Sequence, residues 1–226
     1  MKRSFSILVV GVLAMFTVLT ANAQKSKSFA GTIKFSVKFE GNTNPQLHIP
    51  MDLVYTIFGN KYKIQVHPVI LAIYDGNAGT QTMLYDIPGN RIGYELPKEY
   101  LEEEQSAKKY TYKKGNETRT ICGYVCTRYD IIIYDTEEDE EITAIVYTTT
   151  EIGENSDINT FDYPGLTGFP LYDEVIEKGV KTIQEAVEVK PTKVKDIDFL
   201  VPSNYVMKSP QEVQAHLQAL FGGGEK

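Results

Sequence analysis

The two cysteines of the chain, Cys122 and Cys126, lie in the stretch ICGYVC and are the residues best suited to redox or metal chemistry. Their C-x-x-x-C spacing differs from the C-x-x-C of thiol oxidoreductases, and no cysteine or histidine beside them completes a tetrahedral zinc site. Residues four apart on a straight strand are separated by about 13 Å, whereas a disulfide needs Cα atoms within about 7 Å. A tight turn at Gly123 would therefore allow a cross-strand disulfide, and a bulge there would leave two separate buried thiols. Both alternatives give the cysteines a structural role.

The other residues with metal-binding chemistry lack the spacing of a metal site. His48, His67 and His216 are far apart in the sequence and belong to no H-E-x-x-H pattern. His216 falls between the apolar positions of a C-terminal helical pattern, which predicts it on the polar side of that helix. The acidic run TEEDEE at 136–141 indicates a solvated hairpin tip, because like charges in a row do not converge on one cation. The sequence therefore predicts neither a metal nor a cofactor.

Catalytic motifs are also missing from the sequence. It contains no G-x-S-x-G elbow, no phosphate-binding P-loop and no G-x-G-x-x-G fingerprint. Carboxylates are plentiful, but no local spacing favours the acid–base pair of a glycosidase. We expect that the protein is not an enzyme.

The first residues have the pattern of a secretory signal peptide. Lys2 and Arg3 precede an apolar run at 5–19, which is short for a membrane span, and the small-residue site ANA ends at Ala23. This pattern predicts a signal peptide at 1–23 that is cleaved, and a single β-rich domain at 24–226 without a transmembrane segment. The expected location is the periplasm or the extracellular medium.

The charge of the mature chain excludes some partners. Cleavage would remove Lys2 and Arg3 and take the formal charge from −7 to −9. An acidic domain is poorly suited to binding the phosphate backbone of a nucleic acid or an anionic membrane surface.

Alternation of apolar and polar residues dominates the rest of the sequence. In TIKFSVKFE, the apolar residues Ile33, Phe35, Val37 and Phe39 are separated by polar ones, which is typical of a strand with one buried face. The same pattern, interrupted by glycine, asparagine and proline turns, predicts further strands within 51–66, 70–96, 108–115, 126–135, 141–151 and 180–202, and a glycine- and proline-rich stretch at 163–179 leads into a strand. The acidic segment 97–107, which Pro97 could open, fits a short helix or a loop equally well.

The C-terminal residues carry the signals of a helix. Ser209, Pro210 and Glu212 form a capping box with proline at the first helical position. One face of this helix is apolar and consists of Val213, Leu217, Leu220 and Phe221. The helix would end at Gly222. The predicted fold is mainly β (α+β): one bent antiparallel sheet with an apolar inner side, a short helical patch and a C-terminal helix.

Three segments resemble an exported bacterial family related to the lipoprotein-localisation carriers (the LolA/LolB-like superfamily). TICGYVCTRYDI is similar to the family's I-x-G-Y-x-C-x-x-Y segment, GFPLYDEVI to its Gly-x-Pro-Leu stretch, and IDFLVPSNYVM to its F-x-x-P-x-x-Y ending. Cys122, the acidic tip and the helix after Tyr205 depart from the family pattern. The resemblance implies a strongly curved antiparallel half-barrel with helices or loops over its open side. No motif of lipoprotein transfer maps onto this sequence, so the resemblance implies the shape and not the activity.

Two functions fit this fold. In the first, the curved sheet binds a lipid, an acyl chain or another apolar ligand. The candidate ligand-binding residues are Phe35, Val37, Phe39, Tyr55, Ile57, Ile133, Ile145 and Tyr147. The pattern favours a core role for each of them over a ligand contact, because burial of one such side chain stabilises a fold by about 1.5–3 kcal/mol without a ligand. In the second, the protein is a structural or interaction protein of the cell envelope with a filled core, and an edge such as KYTYKK meets a partner protein.

Overall fold

The computed structural model describes residues 29–41, 51–66, 68–87, 89–152 and 163–221. The predicted signal peptide and its cleavage site, His48, His67 and Gly222 lie outside the described residues. Within them, twelve strands form one sheet. The strands are β1 (Ala30–Gly41), β2 (Met51–Phe58), β3 (Lys61–Val66), β4 (Ile70–Asp75), β5 (Thr80–Ile87), β6 (Asn90–Leu96), β7 (Lys108–Ile121), β8 (Tyr124–Asp135), β9 (Glu140–Thr149), β10 (Phe169–Glu177), β11 (Val180–Pro191) and β12 (Val206–Met207).

The sheet consists of two antiparallel meanders joined by one seam. Its strand order is β12-β6-β5-β4-β3-β2-β1-β11-β10-β9-β8-β7. Neighbours within β1–β6 and within β7–β11 follow one another in the sequence, and antiparallel pairing of β1 with β11 joins the two sets. The short strand β12 adds to β6 in parallel.

A helix between the meanders requires the sheet to curl. Helix α1 (Lys98–Ser106) connects β6 to β7, which lie near opposite ends of the strand order. In a flat sheet these strands would be about 48 Å apart, from ten spacings of about 4.8 Å. The nine-residue helix and its two flanking residues span roughly 20–25 Å. The two ends of the sheet must therefore approach each other, and α1 crosses the open side of a curved, non-closed half-barrel.

The strand register defines two faces of this sheet. Ile33 lies opposite Tyr55 in β2, and Phe35 lies opposite Ala186 in β11, so these residues share the inner, concave face. In the other meander, Ile133 lies opposite Ile142 and Ile131 opposite Ala144, and these residues lie on the same inner face. The predicted strand at β1 is confirmed, with Ile33, Phe35 and Val37 buried and Phe39 half-buried.

The C-terminal residues cover part of the outer face. Val194 and Phe199 pack with Ile73 and Leu84, whose side chains alternate away from the inner face of β4 and β5. A short 3-10 helix (Asp196–Phe199) follows Val194. Lys61 ties this helix to β3 through an ion pair with Asp196 at 3.3 Å.

Helix α2 (Pro210–Phe221) begins as the sequence predicts. The Ser209 Oγ accepts a hydrogen bond from the Glu212 backbone N–H at 3.3 Å, and the Ser209 N–H donates to the Glu212 carboxylate at 3.0 Å. Val213 is fully buried, and the helix packs against β6. His216, predicted on the polar side, is half-buried with its Nε2 shielded from solvent.

The mainly β fold class is confirmed, together with the C-terminal helix and the curved sheet. Of the two alternatives for 97–107, the structure adopts the helix. Neither described helix has the length and apolar character needed to cross a membrane.

Candidate functional site

A cavity of about 420 Å³ lies on the inner face beneath α1. Aliphatic side chains from β8, β9 and β10 form one wall, namely Ile133, Ile142 and Val175. Three tyrosines, Tyr55, Tyr110 and Tyr163, contribute aromatic surface from other parts of the chain. The cavity therefore combines walls from both meanders and the loop before β10.

A polar strip crosses the floor of the cavity along β10 and β11. Its polar side chains are Asp173, Gln184 and Thr182; the register places Asp173 opposite Gln184, and Thr182 opposite the apolar Val175 of the wall. The half-buried carboxylate of Asp173 accepts a hydrogen bond from the Tyr163 hydroxyl at 3.4 Å. The strip separates two apolar clusters of the core, one around Phe35 and the other around Ile131. The inner side is thus apolar at both flanks and polar between them.

Charged and amide side chains complete the lining of the cavity. Gln105 of α1, Lys108 at the start of β7 and Glu177 at the end of β10 belong to its lining. Glu177 is exposed to solvent, whereas Gln105 and Lys108 are half-buried. Together with Asp173, these groups give the cavity two carboxylates and one ammonium group.

The structure separates the predicted ligand-binding residues into four groups, of which Ile145 and Tyr147 are the last. Tyr55 and Ile133 line the cavity. Phe35, Val37 and Ile57 are core residues on the same inner face, at most 4 % exposed without any ligand. Phe39, near the end of β1, is half-buried.

Ile145 and Tyr147 lie on the opposite face from the other predicted residues. In β9, Ile142, Ala144 and Val146 face inward, and Ile145 and Tyr147 alternate with them. Ile145 lines a shallow apolar groove of about 240 Å³ on the outer face, together with the exposed Ile132 and Ile176.

Tyr147 is buried in the same apolar cluster as Phe35, and its hydroxyl takes part in a polar network. Its hydroxyl donates to the Glu117 carboxylate at 2.8 Å, and Arg128 pairs with the same carboxylate at 3.0 Å. These two hydrogen bonds, the one from Tyr147 first, hold the pKa of Glu117 below its usual value. The ring of Tyr147 packs edge-on against Tyr172 at 5.7 Å. This arrangement stabilises the pairing of β9 with its neighbours and offers no ligand-binding space.

The cysteines are free thiols in the structure. Cys122 and Gly123 form the two-residue turn between β7 and β8, with φ angles of 50° and 88°. Positive φ at both positions is the requirement of a type I′ hairpin turn. Cys126 lies beyond the turn opposite Arg119, so the two cysteines are not cross-strand partners. The Cys122 thiol donates to the Ala186 carbonyl at 3.3 Å, which ties the hairpin tip to β11.

The acidic tip between β8 and β9 has the geometry of a turn. Asp135 accepts hydrogen bonds from the backbone N–H groups of Glu137 and Glu138 at 2.9 and 3.1 Å. Lys178 of the neighbouring hairpin pairs with Glu138 and Glu140. Across the described part of the chain, no group of three or more histidine, cysteine, aspartate or glutamate side chains is placed to hold a metal ion.

The sequence patterns did not identify most of the residues that line the cavity. Val175 and Glu177 belong to the segment YDEVIE, where alternation offers either set of side chains to the inner face. The pairing of β10 with β11 selects the set that contains Asp173. Tyr110 lies in the predicted strand KKYTYKKG, but only the curl of the sheet brings it to the same cavity as Tyr55.

The similarity of this chain to known proteins is low. No family model matches it, and no curated protein matches it. Among solved structures, it is similar to LprF from Mycobacterium bovis at 9 % sequence identity, over 76 % of this chain and 90 % of that chain, with a TM-score of 0.32.

Proposed function

We propose that the protein binds an amphiphilic ligand, an acyl chain or similar apolar group that carries a polar head, in the inner-face cavity. The observation that carries this proposal is the space of about 420 Å³ beneath α1, left open although the apolar clusters beside it are packed. A volume of this order is within the usual range of small-molecule sites, about 300–1,000 Å³.

The chemistry of the lining supports an amphiphile over a plain hydrocarbon. Ile133, Ile142 and Val175 offer an apolar wall, whereas Asp173 and Gln184 are polar groups on the floor. A buried polar group without a hydrogen-bond partner costs about 1–3 kcal/mol. A plain hydrocarbon laid over the floor would displace water from these polar groups without offering them a hydrogen bond, whereas an amphiphile can place its polar head there and its apolar part on the wall.

The proposed setting is the cell envelope. Export rests on the signal-peptide pattern at 1–23, and the carrier-like relation rests on the three segments that resemble that family. In the structure, these segments form the β7–β8 turn, strand β10, and the stretch from the 3-10 helix to β12. A curved sheet with a cavity on its inner side is compatible with that relation.

Native mass spectrometry of the protein purified from its own host tests the ligand. We expect wild-type protein to carry a bound amphiphile that organic extraction releases, and a chain that begins at Gln24. Val175→Trp places an indole in the cavity and should abolish the bound mass. Ile176→Trp is the matched control, because Ile176 is the next residue, points to the outer face and is 44 % exposed.

Two results would contradict this proposal. Wild-type protein that carries nothing after gentle purification would favour the alternative, an envelope interaction protein without a ligand. Equal ligand content in a folded Val175→Trp variant and the wild type would show that the ligand does not bind in this cavity. A mass that retains residues 1–23 would contradict cleavage and leave the cavity proposal untouched.

A further inference from the structure

Strand β7 ends the sheet with a long edge. It extends over 14 residues and pairs with β8 on one side. In the part of the chain that the structure describes, no strand pairs with its other side. An edge of this length presents a row of backbone N–H and C=O groups to which another extended chain can add.

The side chains of this edge are basic although the chain as a whole is acidic. Lys109 and Lys113 are exposed on the outer face with Thr111 between them, in a protein of formal charge −7. Asp130, the cross-strand neighbour of Lys113, is engaged by Arg128 at 2.8 Å. The exposed ammonium groups of Lys109 and Lys113 can therefore attract an acidic partner.

The sequence of the edge argues against a second copy of this chain. KKYTYKK, residues 108–114, reads the same in both directions about Thr111. If two copies paired antiparallel about Thr111, Lys109 of each copy would lie opposite Lys113 of the other. If they paired parallel and in register, each lysine would lie beside the same lysine of the other copy. Like charges directly opposite each other destabilise a sheet. The lysines thus repel a second copy while leaving the backbone edge open to a chain of opposite charge.

We propose that the β7 edge binds an extended acidic segment of another protein as an added strand. The segment would carry carboxylates in the register of Lys109 and Lys113. Its other face would carry apolar residues against Tyr110 and Tyr112, whose rings are stacked at 6.1 Å. Backbone hydrogen bonds would supply affinity, and the charges would set the choice of partner. Tyr110 also lines the cavity, but Lys109 and Lys113, which set the choice of partner, do not, so their variants test this inference separately from the cavity ligand.

Titration with a synthetic peptide of about eight residues that alternates glutamate with valine tests this inference. We expect saturable binding that weakens as salt is raised, and chemical-shift changes centred on residues 108–114. The same peptide N-methylated at alternate backbone nitrogens, and a peptide with lysine in place of glutamate, should not bind. The double variant Lys109→Glu/Lys113→Glu should bind the acidic peptide at least about tenfold more weakly. The matched control Lys38→Glu/Lys193→Glu changes the net charge equally at exposed lysines of β1 and the C-terminal segment, and should bind as the wild type does.

Several outcomes would overturn the inference. Equal binding of the N-methylated peptide would show attraction by charge without strand addition. Equal loss in both double variants would show a general effect of net charge. Concentration-dependent dimerisation that Lys109→Glu/Lys113→Glu changes, with no peptide binding, would assign the edge to a second copy. Binding of anionic vesicles in place of the peptide would assign the lysines to a lipid surface. The ligand content of the cavity should stay that of the wild type in both double variants, which separates this test from that of the proposed function.

Discussion

Replacement of Phe35 by alanine tests whether the inner face is a packed core independent of ligand. Phe35 lies in the middle of β1, is 1 % exposed and makes an edge-on contact with Tyr55 at a ring distance of 5.0 Å. Loss of a buried phenylalanine side chain removes its transfer free energy and leaves a cavity, at a typical total of about 3–5 kcal/mol. The chain should lose roughly a fifth or more of a typical stability of about 5–15 kcal/mol. The melting temperature should fall by roughly 10 °C for a chain of this size.

The matched control is Phe39→Ala, which makes the same chemical change in the same strand. Phe39 is half-buried, so we expect a loss of about 1–2 kcal/mol. Urea denaturation, monitored by circular dichroism, gives the free energy of unfolding of both variants before and after extraction of any bound lipid. An unchanged dependence of this free energy on urea concentration is the evidence for the same folded state. A loss for Phe35→Ala below about 1 kcal/mol, or one that disappears after extraction, would refute the assignment of Phe35 to the core.

Two further predictions concern titratable groups. Burial raises the pKa of Cys126 to about 11 and also raises the pKa of the Cys122 thiol. A thiol reagent at pH 8 should therefore react slowly with the exposed Cys122 in native protein and with both cysteines in urea; no reactive thiol in urea would show that the pair is bridged. The lowered pKa of Glu117 stabilises the fold above about pH 4.5, and this contribution is lost as the pH falls through the folded-state pKa. Tyr147→Phe removes one cause of that lowered pKa, so the stability difference between wild type and variant should shrink below pH 4.5; a difference that stays constant from pH 6 to pH 3 would contradict this reasoning.

The sequence was sufficient to predict the inward residues of a strand where only one face of that strand is apolar. In β1 the polar alternates Lys34, Ser36 and Lys38 leave Ile33 and Phe35 as the inward residues, and the structure agrees. The C-terminal helix was equally predictable, because Ser209 and Glu212, three residues apart, form the reciprocal hydrogen bonds of a capping box.

The sequence was insufficient where both faces of a strand are apolar. In β9, Ile142 and Val146 compete with Ile145 and Tyr147, and a shift of one residue exchanges the faces. Pairing with β8, which itself contains the run Ile131–Ile133, decides the outcome, and no local pattern encodes that pairing. The type I′ turn was hidden for a related reason, because a cysteine at positive φ is uncommon and the glycine alone suggested either a turn or a bulge.

The seam between β1 and β11 has a consequence for the order of folding. Within each meander, the connections between consecutive paired strands are at most 19 residues long, whereas Ile33 pairs with Val189 about 150 positions later in the sequence. Contacts between residues close in sequence form early, and contacts between distant ones require the closure of a large loop. Each meander can therefore assemble by itself, and the joining of β1 to β11 would be the slow step that sets the folding rate. Until that step, the hydrogen-bonding edges of both strands stay open to neighbouring chains, so newly made protein would be most prone to aggregate at this seam.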